Sequence, residues 1–203
     1  MTSIDSLTLE VADPAAAERF YAEAFGLGTE VRVRTSEEPT TGFRGFTLSL
    51  TVSQPGNASA LIDAAVEAGA TTLKPAAKSM WGFGGVVQAP DGTIWKVATS
   101  AKKDSGPPTR QIDQLVLLIG CADVAESKQF YVDHGLEVAK SFGRKYVEFA
   151  ASGPVKFGLY GHKALAKDAG VPPAGTGSHR LVIGIDAGSS FTDPDGFAWQ
   201  AAG

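Results

Sequence analysis

The chain has 203 residues, 43 % of them hydrophobic and 20 % charged. That is the usage of an ordinary globular protein, with enough chain for one large domain or two small ones. A net charge of −4 excludes a chain whose main task is neutralising phosphates, so no nucleic-acid partner is expected. The single cysteine, Cys121, excludes an intrachain disulfide and a cysteine-based zinc site.

The opening segment MTSIDSLTLEV has no basic stretch followed by an apolar one. No apolar run approaches the ~20 residues of a membrane helix. A cytoplasmic protein with no membrane contact is the expectation. In Leu7 to Val11 apolar and polar residues alternate, as in a strand with one face on a core. Asp13 suits a helix N-cap and Pro14 the first helical position, after which Ala17, Phe20, Tyr21 and Ala24 share a face. A second helix is expected in NASALIDAAVEAGA, with Leu61, Ile62, Ala65 and Val66 on one side and Gly69 as terminator. Strands follow around 71–75, 83–89 and 93–98, the last two joined by the turn APDG. Residues 101–110, AKKDSGPPTR, have linker composition.

Beyond the linker the order recurs. Ile112-Asp113, Asp123, Phe130-Tyr131 and Gly135-Leu136 repeat Ile4-Asp5, Asp13, Phe20-Tyr21 and Gly26-Leu27 at offsets of 108 to 110 residues. Pro90-Asp91-Gly92 with Trp95 returns as Pro194-Asp195-Gly196 with Trp199. A repeat of half the chain implies two duplicated domains, 1–100 and 111–203, joined by 101–110, and not a solenoid. Asp123 and Glu126 form a capping-box pattern. Strands are expected around 137–142, 145–150, 154–160 and 180–185. Neither half is complete. The first lacks a strand pair between 36 and 43, and the second runs from 180–185 through AGSS to FTDPDG without a helix and a strand. One reading is that the better-preserved stretches, 44–99 and 112–161, complement the shortened ends.

A strand, an Asp-capped helix ending in FY, a GL turn and a later PDG turn feeding a final strand resemble the vicinal-oxygen-chelate superfamily. Its members include glyoxalase I, extradiol dioxygenases and bleomycin-resistance proteins. The segments GATTLKPAAKSMWGFGGVVQAPDGTIWKVA and VKFGLYGHKALAKDAGVPP resemble a glyoxalase-like branch of unknown function. The resemblance implies an α+β fold. It consists of tandem glyoxalase-like domains of βαβββ modules, with mixed curved sheets forming a cup and some modules shortened, those of domain 2 at its C-terminal end.

In that superfamily four cup side chains, usually His, Gln or Glu, hold a divalent metal. Matched residue by residue, the positions are Ser6, Thr47 and Lys96 in the first half, with no clear counterpart on the fourth strand. In the second half they are Gln114 or Val116, Lys156 or Gly158, Arg180, and Gln200. Strand alternation agrees, leaving Ser6, Thr8 and Glu10, and likewise Thr47, Ser49 and Thr51, on the cup side. A Lys or Arg at a ligand position repels a dication. Trp81 and Phe83, in the loop WGFGG, border the cup in the resembled branch, where pocket lining and simple packing are both open. Tyr160 shares a face with Lys156 and offers a ring and a hydroxyl. Trp95 and Trp199 alternate with Lys96 and Gln200 and belong to the core. A phosphate loop at WGFGG is disfavoured because a strand follows it, not a helix.

Two readings follow. The favoured one is a metal-free small-molecule binder without cofactor, acting as a monomer or homodimer. In it Lys96, Lys156 and Arg180 receive an anionic or aromatic ligand, with Trp81 and Tyr160 over its apolar part. The alternative is a metal-dependent lyase, isomerase or dioxygenase of the same superfamily. There a register slip brings His179 beside Gln114 and Gln200 to hold Fe, Mn, Ni or Zn. No catalytic residue is nominated, and enzymatic activity stays open. A degenerate domain kept for interaction is the third possibility.

Overall fold

Asp13 and Asp123 start equivalent helices, as their sequence setting predicts. In the computed structural model, which describes residues 2–150 and 153–201, Asp13 accepts the Ala16 amide at 3.0 Å. Asp123 accepts those of Ala125 and Glu126 at 2.8 and 3.3 Å. Each cap satisfies donors that the first helical turn leaves unpaired.

The first module comprises β1 (Ile4–Val11), α1 (Pro14–Ala24), β2 (Val31–Thr35) and a short β3 (Thr40–Gly42). The second is complete: β4 (Phe46–Thr51), α2 (Pro55–Glu67), β5 (Thr71–Ser79), β6 (Gly82–Gln88) and β7 (Ile94–Thr99). The third is complete too: β8 (Gln114–Cys121), α3 (Val124–Asp133), β9 (Val138–Phe142), β10 (Tyr146–Phe149) and β11 (Val155–Gly161). After α4 (His162–Ala169) and β12 (Gly175–Gly177) comes the last module, reduced to β13 (Leu181–Ile185), β14 (Phe191–Thr192) and β15 (Ala198–Ala201).

The two complete modules build one eight-stranded sheet, β5-β6-β7-β4-β8-β11-β10-β9. They join where β4 runs antiparallel to β8, with Thr47 opposite Leu118 and Ser49 opposite Val116. The shortened end modules build the five-stranded sheet β14-β15-β13-β1-β2, closed by the antiparallel pair β1–β13. Each of these sheets therefore takes strands from both sides of the 101–110 segment. Between 36 and 43, where no strand pair is expected, β3 pairs with β12 as a separate ribbon. Glycine is required there, because a Cβ on Gly175 would lie 2.1 Å from the Phe43 carbonyl oxygen.

The main core fills the space between the sheets' inner faces and α1, α2 and α3. Leu7, Leu9, Leu48, Leu50, Leu117, Ile119, Ile183 and Trp95 are fully buried and Trp199 nearly so. Each such side chain contributes about 1.5–3 kcal/mol by leaving water. Leu48→Ala, which leaves a void that neighbours fill only in part, costs about 2–5 kcal/mol. Val66, expected on the buried face of α2, is instead 43 % exposed, on the margin of that face. Cys121 is buried as its apolar run implies.

Sequence periodicity did not predict α4. Only eight residues long, it buries Leu165, Ala166 and Ala169 against Phe43, Val86 and Ile94, with Leu118 and Tyr160 at the margin. Val86, Ile94, Leu118 and Tyr160 lie on the face of the eight-stranded sheet opposite the main core, with Phe43 beside them in the segment before β4, so α4 occupies the cup. Hence β4 is buried on both sides, and even Thr47 and Ser49 are shielded. Gly170, at φ +80°, ends the helix in the left-handed conformation that glycine adopts without strain. His162, read as surface-like from GHK, is the first helical residue, and its Nε2 lies 2.8 Å from the Pro173 carbonyl.

Candidate functional site

Beside the last turn of α4 the cup stays open. A cavity of about 370 Å³ lies between that turn, β7 and the β5–β6 hairpin, lined by Lys74, Lys78, Trp81, Phe83, Lys96 and Asp168 among others. The hairpin holds its place because Gly82, at φ +137°, passes close to β7. A Cβ there would sit 1.9 Å from the Thr99 carbonyl oxygen. Gly84 is similarly bare against Val97. Trp81 stands at the hairpin tip, 83 % exposed, while Phe83 is half-buried against the main core.

Three lysines share this hollow with one carboxylate. Lys96 donates from Nζ to Asp168 Oδ2 at 2.7 Å. Lys74 donates to the Lys167 and Asp168 carbonyls at 2.8 and 2.7 Å, the negative end of the α4 dipole. Both side chains of the Lys96–Asp168 pair are more than a third exposed, so solvent screening limits the pair to at most about 1 kcal/mol.

The residues expected from the sequence are distributed over several places. Trp81, Phe83 and Lys96 meet in this cavity. Thr47 lies on the cup side under α4, and Tyr160 packs at the helix margin, 5.1 Å from the Tyr146 ring. Lys156 shares a cross-strand row with Lys96, through Ser49 and Val116. Three strand spacings separate the two lysines, about 14 Å, so they do not grip one small anion together. Gln114 donates its side-chain amide to the Leu115 and Pro154 carbonyls. Ser6 and Gln200 flank Gly184 on the five-stranded sheet. With Asp5 and Arg32 they line a second, smaller hollow of about 230 Å³.

Arg180 lines neither hollow. At φ +57° it turns its guanidinium onto the Ser36 carbonyl, 2.5 Å away, and that of Glu38. The expectation that Lys96, Lys156 and Arg180 converge on one anion therefore gives way to three separate placements. Lys74, Lys78 and Asp168 are the cavity residues that sequence reasoning missed. The lysines stand in GATTLKPAAKSMWGFGG, four apart on the strand entering the glycine-rich turn, but a bulge between Lys74 and Ala77 breaks the alternation: Lys74 lies opposite Val86 in the row of Lys96, and Lys78 lies opposite Phe83 at the cavity's rim.

A divalent metal, implied by the resemblance, does not fit the residues present. The Lys96 ammonium has no lone pair to offer. His179 lies with Nδ1 2.6 Å from the Arg44 carbonyl and Nε2 3.0 Å from the Asp195 carbonyl, stacked on Phe197. Both ring nitrogens face backbone carbonyl oxygens and not the cup. Gln114 and Gln200 belong to different sheets. Among the described residues no three His, Cys, Asp or Glu side chains come together as a metal would require.

No family model and no curated protein matches the chain. Solved structures do match it. Glyoxalase I from Zea mays aligns at 15 % identity with a TM-score of 0.63, over 99 % of this chain and 92 % of that one. A candidate dioxygenase from Bacillus subtilis subsp. subtilis str. 168 aligns at 12 % identity with a TM-score of 0.65, over 98 % and 84 %. The architecture defines a class, the paired-module proteins in which βαβββ units share curved mixed sheets. Within it, this chain carries the vicinal-oxygen-chelate fold of the glyoxalase and dioxygenase structures, as its repeated motifs predict. At these identities the likeness is one of fold. Among the described residues no helix is long and apolar enough to cross a membrane.

Proposed function

We propose that this protein binds a small anionic ligand with an apolar body, without a metal, in the cavity between the β5–β6 hairpin and α4. One observation carries the reading: Lys74, Lys78 and Lys96 outnumber the carboxylate of Asp168 in a hollow rimmed by an exposed tryptophan. An ammonium donates charge-assisted bonds to an anion, and Trp81 offers flat apolar surface to the rest of the ligand. The volume suits a ligand of one or two rings. The halves 1–100 and 111–203 are read as a duplication whose central modules supply this cup.

Calorimetric titration with aromatic carboxylates, and with the matching amides as neutral controls, tests the proposal. The acids bind and the amides do not. Lys96→Met weakens the acids about five- to tenfold, the loss of one partly solvated charged hydrogen bond. Equal affinity of acid and amide, or no effect of Lys96→Met, overturns it.

A further inference from the structure

The last turn of α4 puts a carboxylate on Lys96 and two carbonyls on Lys74. Through Val86 the two lysines belong to one cross-strand row, and both ammonium groups lie within hydrogen-bond distance of atoms of Asp168. We infer that this turn is an internal surrogate ligand. The Asp168 side chain holds the place that the carboxylate of an incoming ligand takes, and release of the turn hands over Lys74 as a second cation. The inference rests on the binding reading above and narrows it to carboxylic acids, because a carboxylate is what Lys96 already holds.

Three observations support exchange. The Lys96–Asp168 pair is open to solvent on both sides, so a soluble anion reaches it without unfolding the sheet. The helix is short: three small or medium apolar residues are buried, its N-cap Gly161 has no side chain to cap it, and left-handed Gly170 leads into exposed Pro172 and Pro173. Beneath it Ser49, the cross-strand neighbour of Lys96, keeps a buried hydroxyl without a partner among the described residues. A hydroxyl so placed is a further donor for an anion that moves the helix aside.

Removing the internal competitor must tighten binding. Asp168→Asn is expected to raise the affinity for 2-naphthoate about two- to fivefold, the worth of a half-exposed ion pair, and Asp168→Glu to restore the wild-type value. In hydrogen exchange, the amides of residues 165–170 lose protection in Asp168→Asn, and in wild type on saturation with 2-naphthoate. If wild type binds 2-naphthoate but Asp168→Asn binds it equally or more weakly, the surrogate role is wrong and the binding site stands. Increased protection of α4 in the complex likewise overturns the surrogate role alone. Failure of wild type to bind aromatic carboxylates removes the site and the inference with it.

Discussion

The hydroxyl of Tyr131 donates to the carboxylate of Asp193, deep under the five-stranded sheet. The same carboxylate accepts Trp199 Nε1 at 3.0 Å and the Phe197 amide at 2.9 Å. In the other half Tyr21 donates to Asp91 at 2.5 Å. The tyrosine of each FY pair thus ties its helix to the aspartate-bearing turn before the final tryptophan strand. Burial, and then the neighbouring aspartate, push both phenols well above their ordinary range, which keeps them protonated as donors. Tyr131→Phe removes one donor from a buried carboxylate and costs about 1.5–3 kcal/mol. Urea denaturation should show a lower midpoint at unchanged slope.

Gln54 anchors the segment between the halves. Its amide nitrogen donates to Asn57 Oδ1 and to the Gly106 and Pro107 carbonyls, at 3.0 to 3.1 Å. Its oxygen accepts from the Ser105 and Gly106 amides. The residues 101–110 have linker composition and are mostly exposed, yet a buried glutamine holds them. Gln54→Ala orphans those backbone groups. Trypsin should then cut after Lys102 or Lys103 at least tenfold faster than in wild type, while cleavage elsewhere stays slow. Equal rates at these lysines exclude the anchoring role.

Burial pushes the Cys121 thiol far above its usual range; the nearby Asp195 and Asp193 carboxylates add to the rise, and the Ser127 hydroxyl opposes it. At pH 8 native protein should therefore leave an aromatic disulfide reagent unreacted, with full reaction in urea. The linkage sign follows. A thiol whose folded pKa lies above its unfolded value, about 8.5, contributes stability that is whole below that value and lost as pH rises toward the folded one. Wild type should lose up to about 1.4 kcal/mol per pH unit above 8.5 relative to Cys121→Ala. Parallel pH profiles for the two proteins would contradict the shift.

What was legible in the sequence was local or repeated. Asp13 and Asp123 announced their helices, and alternation assigned Trp95 and Trp199 to the core and Lys96 to the cup. The pairing of β4 with β8 was visible only as one option, because strand partners far apart in sequence leave no periodic trace. The helix α4 escaped for a different reason. Eight residues with three buried apolar positions give too short a pattern to separate from a loop, and Gly170 as its terminator has meaning only once the helix is seen. The cavity inherited that gap: Trp81, Phe83 and Lys96 were named from motif positions, whereas Asp168, which faces Lys96, sits on the unseen helix.

Arg180 separates placement by motif from placement in space. The resemblance in sequence matches it to a ligand position, yet its guanidinium clasps the Ser36 and Glu38 carbonyls, and its backbone takes a positive φ that ordinary side chains adopt at a cost. Arg180→Met leaves the two carbonyls without these donors and should lower stability by about 1–3 kcal/mol. The affinity for 2-naphthoate should stay within about twofold of wild type, since the side chain reaches neither hollow. Lys96→Met should give the opposite pattern, with weaker binding and stability changed by no more than about 1 kcal/mol, because its ion pair is solvated. Measuring both variants by denaturation and calorimetry separates a loop clamp from a ligand contact. A binding loss in Arg180→Met as large as that in Lys96→Met would place the anion near Arg180 and away from the α4 cavity.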